Sequence, residues 1–270
     1  MDEKRPRMTA SLRVLIAVLC AVVGLLGWRM VRKYRAASPT RMVAEMRLMD
    51  EEVKNNPLDP DPLLKRAFSY VVVGEYQKAV DDYSAALALR PGSWQILGLR
   101  AQAFQLKGDY VRSLSDNTDA IKLNPNDGAL YVQRAQANVR LRLYREAQKD
   151  LDKALEMDPG NMEVYLNRGD LDVMLKKPEE AKAEYKKVAS FMPDNPQAFC
   201  NRARARIGLQ DYKGAVEDAS QAIEMNPQNV TAYRIRAMAY SYLNDLAGAQ
   251  KDIYESSQLN RSRRNAVNNR

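Results

Sequence analysis

The chain has 270 residues, a net charge of +8, 28% charged residues and no histidine. That length allows one large or two modest domains. The missing histidine removes the commonest general base and the commonest metal ligand together, which excludes Ser-His and Cys-His nucleophiles and the usual zinc sites. The charge is unevenly placed: residues 1–59 hold 11 Lys/Arg against 7 Asp/Glu, residues 60–260 hold 27 against 27, and residues 261–270 hold 4 against none. A nucleic-acid surface needs a basic stripe that displaces counterions from phosphate, and the neutral body offers none, so no nucleic acid is expected. Alanine, leucine and charged side chains dominate over glycine, proline and phenylalanine, which favours helix. Two cysteines, Cys20 and Cys200, make no disulfide framework.

In chain order the first element is apolar. Val14 to Trp28 carries no charge, and Arg29, Arg32, Lys33 and Arg35 follow. Extended to Leu12–Val31, the run reaches the roughly 30 Å hydrocarbon core at about 1.5 Å per residue, with Arg13 and Arg29 able to snorkel to opposite headgroup layers. A cleaved signal peptide competes through its basic start at Lys4, Arg5 and Arg7. Small residues at a fitting spacing, however, appear only around Ala36 to Ser38, beyond a basic stretch. A lipoprotein reading of Cys20 fails because Leu19 stands where a small residue is needed. The expectation is a basic tail and one uncleaved transmembrane anchor within residues 1–38, meeting the membrane through residues 12–31. Flanking charges are nearly balanced and lean slightly to a cytoplasmic repeat domain over an exported one. Residues 39–59 read as a linker and a capping helix, with Met42, Met46, Met49 and Val53 on one apolar face.

A ladder follows. Pro57, Pro91, Pro125, Pro159, Pro193 and Pro227 stand 34 residues apart, and Arg261 occupies the next rung. Counting position 1 at Pro60 gives six repeats over residues 60–261: 60–93, 94–127, 128–161, 162–195, 196–229 and 230–261. Position 8 is small throughout (Ala67, Ala101, Ala135, Gly169, Ala203, Ala237), as is position 20 (Ala79, Ser113, Ala147, Ala181, Ala215, Ala249). Position 27 adds Ala86, Ala120, Ala154, Val188, Ala222 and Ser256. Small residues let two helices approach closely. Gly74 and Gly108 mark a turn between the two helices of a repeat, and the proline at position 32 stops the second. Residues 262–270 read as a basic, asparagine-rich disordered tail.

This pattern resembles the tetratricopeptide repeat, whose period is 34 residues with small residues at positions 8, 20 and 27 and proline at 32. The resemblance covers about 200 of the 270 residues. It implies an all-α, right-handed superhelical solenoid of six helix-turn-helix units, whose first helices line a concave groove for peptides or partner helices. The fold class expected is that solenoid preceded by one transmembrane helix. One departure stands out: position 7, commonly apolar in the family, is Arg66, Arg100, Arg134, Arg168, Arg202 and Arg236. Position 23 answers with Asp82, Asp116, Asp150, Glu184, Asp218 and Asp252. Two readings compete, an internal ladder of ion pairs that sets repeat register and a basic stripe for a ligand. The internal ladder is preferred, since each arginine comes with its own acid and the body is neutral.

By resemblance, positions 2, 5, 9, 12 and 13 face the groove. They give Gln95, Gln102 and Gln105, then Gln136 and Arg140, Asp170 and Met174, Cys200 and Arg204, and finally Arg234, Met238 and Tyr242. Repeat 1 offers Leu64, Phe68, Val71 and Val72, a floor for the capping helix or for a partner side chain. Some family members grip the C-terminal carboxylate of chaperones through lysine, asparagine and arginine, a pattern these positions lack. Arg140, Arg204 and Arg234 are a cue for an acidic peptide. The function expected is a membrane-tethered scaffold that binds a peptide or protein partner, and the alternative is a structural protein whose repeats self-associate. Cys200 has no histidine to activate it and the carboxylates follow the repeat instead of converging, so no catalytic or metal site, cofactor or small-molecule substrate is expected.

Overall fold

The computed structural model describes residues 39–268. Among the described residues there are thirteen helices and no strand: α1 (Pro39–Asn55), α2 (Pro60–Val73), α3 (Tyr76–Leu89), α4 (Trp94–Lys107), α5 (Tyr110–Leu123), α6 (Gly128–Arg140), α7 (Tyr144–Met157), α8 (Met162–Met174), α9 (Pro178–Ser190), α10 (Pro196–Gly208), α11 (Tyr212–Met225), α12 (Val230–Tyr242) and α13 (Leu246–Asn268). From α2 onward the helices pack as six successive hairpins, and each hairpin stacks on the next. The result is an all-α solenoid.

Local chemistry starts each helix, and stops each but the last, at nearly the same place in its repeat. The first helices are capped by a second 34-residue ladder, Asp59, Ser93, Asp127, Asn161, Asn195 and Asn229, whose side-chain oxygens each accept from a first-turn backbone N–H. Such caps are worth about 1 kcal/mol each. The first helices end with position 15 in the left-handed region: Gly74, Gly108, Arg142, Lys176, Gln210 and Asn244 all have positive φ. Second helices end two or three residues before the proline ladder, which cannot continue a helix.

The small residues at positions 8, 20 and 27 are buried in all six repeats. They let paired helices come close enough for a row of apolar clusters along the stack, in which Tyr83, Ile96, Leu151, Val164, Leu166 and Val188 are enclosed almost completely. Helix α1 packs on α2 and buries Met46 in the cluster that holds Leu64, Ala67 and Val71, while the buried Met49 sulfur accepts from Ser69 Oγ at 3.5 Å. The side chain of Met42 lies outside the description. Met46, Met49 and Asp50 precede Val80, Tyr83 and Ser84 by one period, so α1 stands where the second helix of a preceding unit would be. The cap is half a repeat.

The far end differs from expectation. Helix α13 continues to Asn268 instead of giving way to a disordered tail at residue 262, and Arg263 Nη2 donates to Gln228 O at 2.7 Å. Arg261 occupies the rung where a proline would have stopped the helix, and no glycine follows it. The longer helix also packs against α1 and α2, so the two ends of the stack meet.

The single-pass membrane localisation, with the repeats leaning to the cytoplasmic side, is corrected here. Among the described residues no helix is long and apolar enough to cross a membrane. The longest, α13, has 23 residues but carries Lys251, Asp252, Glu255, Arg261 and Arg263, each costly in hydrocarbon. The other helices have 13 to 17 residues, short of the roughly 20 a span needs. Residues 1–38, with the apolar run 12–31 and Cys20, lie outside the described residues.

Candidate functional site

The arginines at position 7 face inward. Arg66, Arg100, Arg134, Arg202 and Arg236 each donate through Nε and Nη2 to the two carboxylate oxygens of Asp82, Asp116, Asp150, Asp218 and Asp252, at 2.6 to 2.9 Å. The aspartates are at most 6% exposed. These hydrogen bonds, and after them the attraction of the carboxylates, raise each guanidinium above its ordinary pKa despite partial burial. In four repeats the free Nη1 reaches one unit back: Arg66 to Asp50, Arg100 to Ser84 Oγ, Arg168 to Asp152 and Arg236 to Ser220 Oγ. One side chain therefore ties the two helices of its own repeat to the second helix before it. The ladder is internal, as the pairing in the sequence implied.

Repeat 4 breaks the rule. Glu184 replaces aspartate, and Arg168 meets it through one contact of 3.4 Å. Beside it, Tyr185 on α9 drives its ring between two first helices. The ring passes Gly169 on α8, where an added Cβ would lie 2.5 Å from Cε1, and Gly208 at the end of α10, where a Cβ would collide with the opposite edge. Only glycine at both places admits the ring. Its hydroxyl emerges at the exposed surface of the first helices and donates to Asp170 Oδ1 at 2.7 Å, while Asp170 Oδ2 accepts from Arg204 Nη2 at 2.7 Å. Burial, and then the nearby Asp170 charge, raise the Tyr185 pKa above its ordinary value, so the phenol stays a donor at neutral pH.

Two cavities meet at this cluster and share Asp170 and Arg204. One, of about 350 Å³, runs toward repeats 2 and 3 past Gln105, Gln136, Arg140 and Met174. The other, of about 450 Å³, runs toward repeat 6 past Ile207, Arg234 and Met238. Of the residues expected in the groove, the structure thus brings together Gln105, Gln136, Arg140, Asp170, Met174, Arg204, Arg234 and Met238. Gln105 Nε2 is engaged with Gln133 O and Gln136 Nε2 with Glu163. Gln95 and Gln102 are exposed but line neither cavity, and Gln95 accepts from Ser93 Oγ. Tyr242 is exposed and stacks on Tyr212 with ring centroids 4.7 Å apart.

Cys200 is a correction. It is fully buried, with Asn229 Nδ2 beside its sulfur at 3.6 Å. The reason is shared along position 5: Gly98, Val132 and Leu166 are buried as well and Leu64 is half-buried, while Arg234 is exposed, since among the described residues no first helix packs over it. Tyr185 was the residue sequence reasoning missed. The glycine at position 8 of repeat 4 was the available signal, since a missing methyl in a close-packed row needs something to fill its place.

Two family models, both described as "Tetratricopeptide repeat", match the chain, one over residues 140–207 and the other over residues 64–128 and 200–260. No curated protein matches it. Among solved structures, it resembles a tetratricopeptide repeat protein from Parabacteroides merdae at 19% identity and a TM-score of 0.60, covering 83% of this chain and 91% of that one. A thermophilic TPR protein of Thermus thermophilus matches at 19% identity and a TM-score of 0.57, over 68% of this chain and 98% of that one. A chain of the APC/C hetero-tetramer Cut9-Hcn1 matches at 15% identity and a TM-score of 0.58; 82% of this chain is covered, but it spans only 44% of that one. At these identities the structures speak for the fold alone. With the period, the buried small residues, the stacked hairpins and family matches over most of residues 64–260, the chain belongs to the tetratricopeptide repeat family.

Proposed function

We propose that the chain is a protein–protein interaction scaffold and that the surface formed by its first helices holds a peptide segment of a partner. The observation that carries this reading is the pair of cavities joined at Asp170 and Arg204. Together they run from repeat 2 to repeat 6 and mix half-exposed apolar side chains, Met174 and Met238, with fixed polar ones. Apolar lining with a few placed polar groups is what a binding site for a flexible chain needs: the first supplies affinity and the second orientation. Peptides selected from a random dodecapeptide library against the full chain should shift the 13C-methyl NMR signals of Met174 and Met238. Met192, 90% exposed between α9 and α10, should stay in place. Shifts confined to methionines outside the cavities would place binding elsewhere and defeat the proposal.

Self-association is the second reading, and it rests on α13. Leu246, Ile253 and Tyr254 there are more than half exposed, and Ile253 stands at position 24, where earlier repeats bury Tyr83, Leu151 and Tyr185. Sedimentation of the full chain over a concentration series separates the two: a mass that stays monomeric removes self-association.

A further inference from the structure

Among the side chains lining the two cavities, the charged ones are Arg140, Arg204 and Arg234 against a single acid, Asp170. The excess is local, because residues 60–260 hold equal numbers of acidic and basic residues. It is also differently organised from the ladder. Every ladder arginine but Arg168 is locked by two hydrogen bonds onto a buried aspartate, whereas Arg140 and Arg234 are exposed and make no salt bridge among the described residues. Arg204 makes one contact to Asp170, and both side chains are more than 40% exposed. A pair so open to water is worth little to the fold and is easily exchanged. Asp170 does not depend on it, since Tyr185 holds its other oxygen from below.

We infer that the bound segment is acidic and that Asp170 is a built-in competitor, a resident carboxylate that a partner Asp or Glu displaces from Arg204. This inference rests on the groove reading above. An incoming carboxylate can take one edge of the Arg204 guanidinium through two parallel hydrogen bonds, a stronger arrangement than the single contact it replaces. Tyr185, wedged between Gly169 and Gly208, keeps the displaced Asp170 at the junction of the two cavities. Its negative charge then sets a threshold: a segment must bring enough carboxylate to overcome it, and Arg140 and Arg234 reward acids to either side. Asp170 is thus a specificity-determining residue of the groove.

The test uses the same random dodecapeptide selection on the full chain. Selected peptides should be enriched in Asp and Glu over the input library, and their affinity should fall with added salt. For one selected peptide, followed by fluorescence anisotropy, Arg204→Gln should weaken binding about tenfold or more through loss of a charge-assisted hydrogen bond. Asp170→Asn, which keeps an acceptor for Tyr185, should tighten binding by up to about fivefold, the scale of an exposed pair. Should Arg204→Gln lower the melting temperature, Arg140→Gln and Arg234→Gln carry the same test on exposed side chains that hold nothing else. Enrichment of basic or uncharged peptides, or weaker binding on Asp170→Asn, overturns the acidic inference. If Met174 and Met238 still shift, the groove reading survives that result. Failure to select any peptide overturns both.

Discussion

Repeats 3 and 4 lie side by side and follow the same 34-residue pattern, yet they are held by different means. In repeat 3 a small alanine, Ala135, lets the helices close, and Arg134 clamps them with two short bonds to Asp150, which Asn138 also supports at 3.2 Å. In repeat 4 the clamp is loose, with Arg168 and Glu184 at 3.4 Å, and a wedged tyrosine fills the space between Gly169 and Gly208. The extra carbon of glutamate moves the acid out of the bidentate position, and the ring that replaces this support carries a polar tip to the opposite surface. One repeat is built for cohesion. Its neighbour has yielded part of that cohesion and gained the Tyr185–Asp170–Arg204 cluster.

The largest test of this difference is the clamp itself. Replacing Arg134 by Met should cost about 3 to 5 kcal/mol, because Asp150 is left buried and unpaired. Changing Asp150 to Leu in that background should recover most of it, as both charges then leave the interior. Arg168→Met should cost distinctly less, since its contact to Glu184 is longer at 3.4 Å and Lys187 Nζ stays within 3.4 Å of the same carboxylate. Urea unfolding of the three variants beside the unchanged chain checks this, and equal losses in the two repeats would erase the contrast.

The wedge should give a smaller but opposite asymmetry. Gly169→Ala, a change toward the residue every other repeat uses, should destabilise by about 1 to 3 kcal/mol through overpacking against the Tyr185 ring. Tyr185→Leu in the same chain should return most of that stability while deleting the hydroxyl beside Asp170. Ala135→Gly, the reverse exchange in repeat 3, should cost about 1 kcal/mol from helix propensity and somewhat more from the loss of a buried methyl. A neutral Gly169→Ala would mean that the ring has room to move and is not wedged.

The smallest effects belong to the turns, where the early and late repeats differ. Position 15 is left-handed in all six, with glycine in repeats 1 and 2 and Lys176 at φ 60° in repeat 4. Gly74→Ala should cost about 1 kcal/mol, and Lys176→Gly should gain a fraction of that, because a side chain is strained at positive φ while glycine is not. Thermal melts of the two single variants should move in opposite directions, and shifts of the same sign would show that the turn conformation does not govern them.

Much of this was legible in advance because the repeat makes six measurements of each position. Proline at 32 and small residues at 8, 20 and 27 mark a helix end and three close contacts, and the structure shows the first role in the five units that have the proline and the second in all six. The Arg–Asp pairing was readable for the same reason: matched charges at a constant spacing of 16 residues imply a constant contact. The N-cap ladder from Asp59 to Asn229 was equally periodic, but three residue types share it, so it does not stand out as an identity. The groove was half legible. Position 5 was assigned to it by resemblance, yet Cys200 is buried and Arg234 is exposed at the same repeat position, because among the described residues a first helix follows that of Cys200 and none follows that of Arg234.

Sequence by itself thus determined the helix-turn-helix period and the Arg–acid pairing of the ladder, since each depends on contacts within about 34 residues that recur along the chain. Tertiary structure alone decided what happens where the recurrence stops. Residues 262–268 extend a helix once no proline interrupts them, and that helix meets α1 and α2 from the other end of the stack. It also decided that a tyrosine on a second helix reaches an aspartate on a first one. That contact exists only because two glycines, 39 positions apart in the chain, face each other across one ring. Periodicity reports what repeats have in common, while the packing of non-equivalent neighbours sets where they differ.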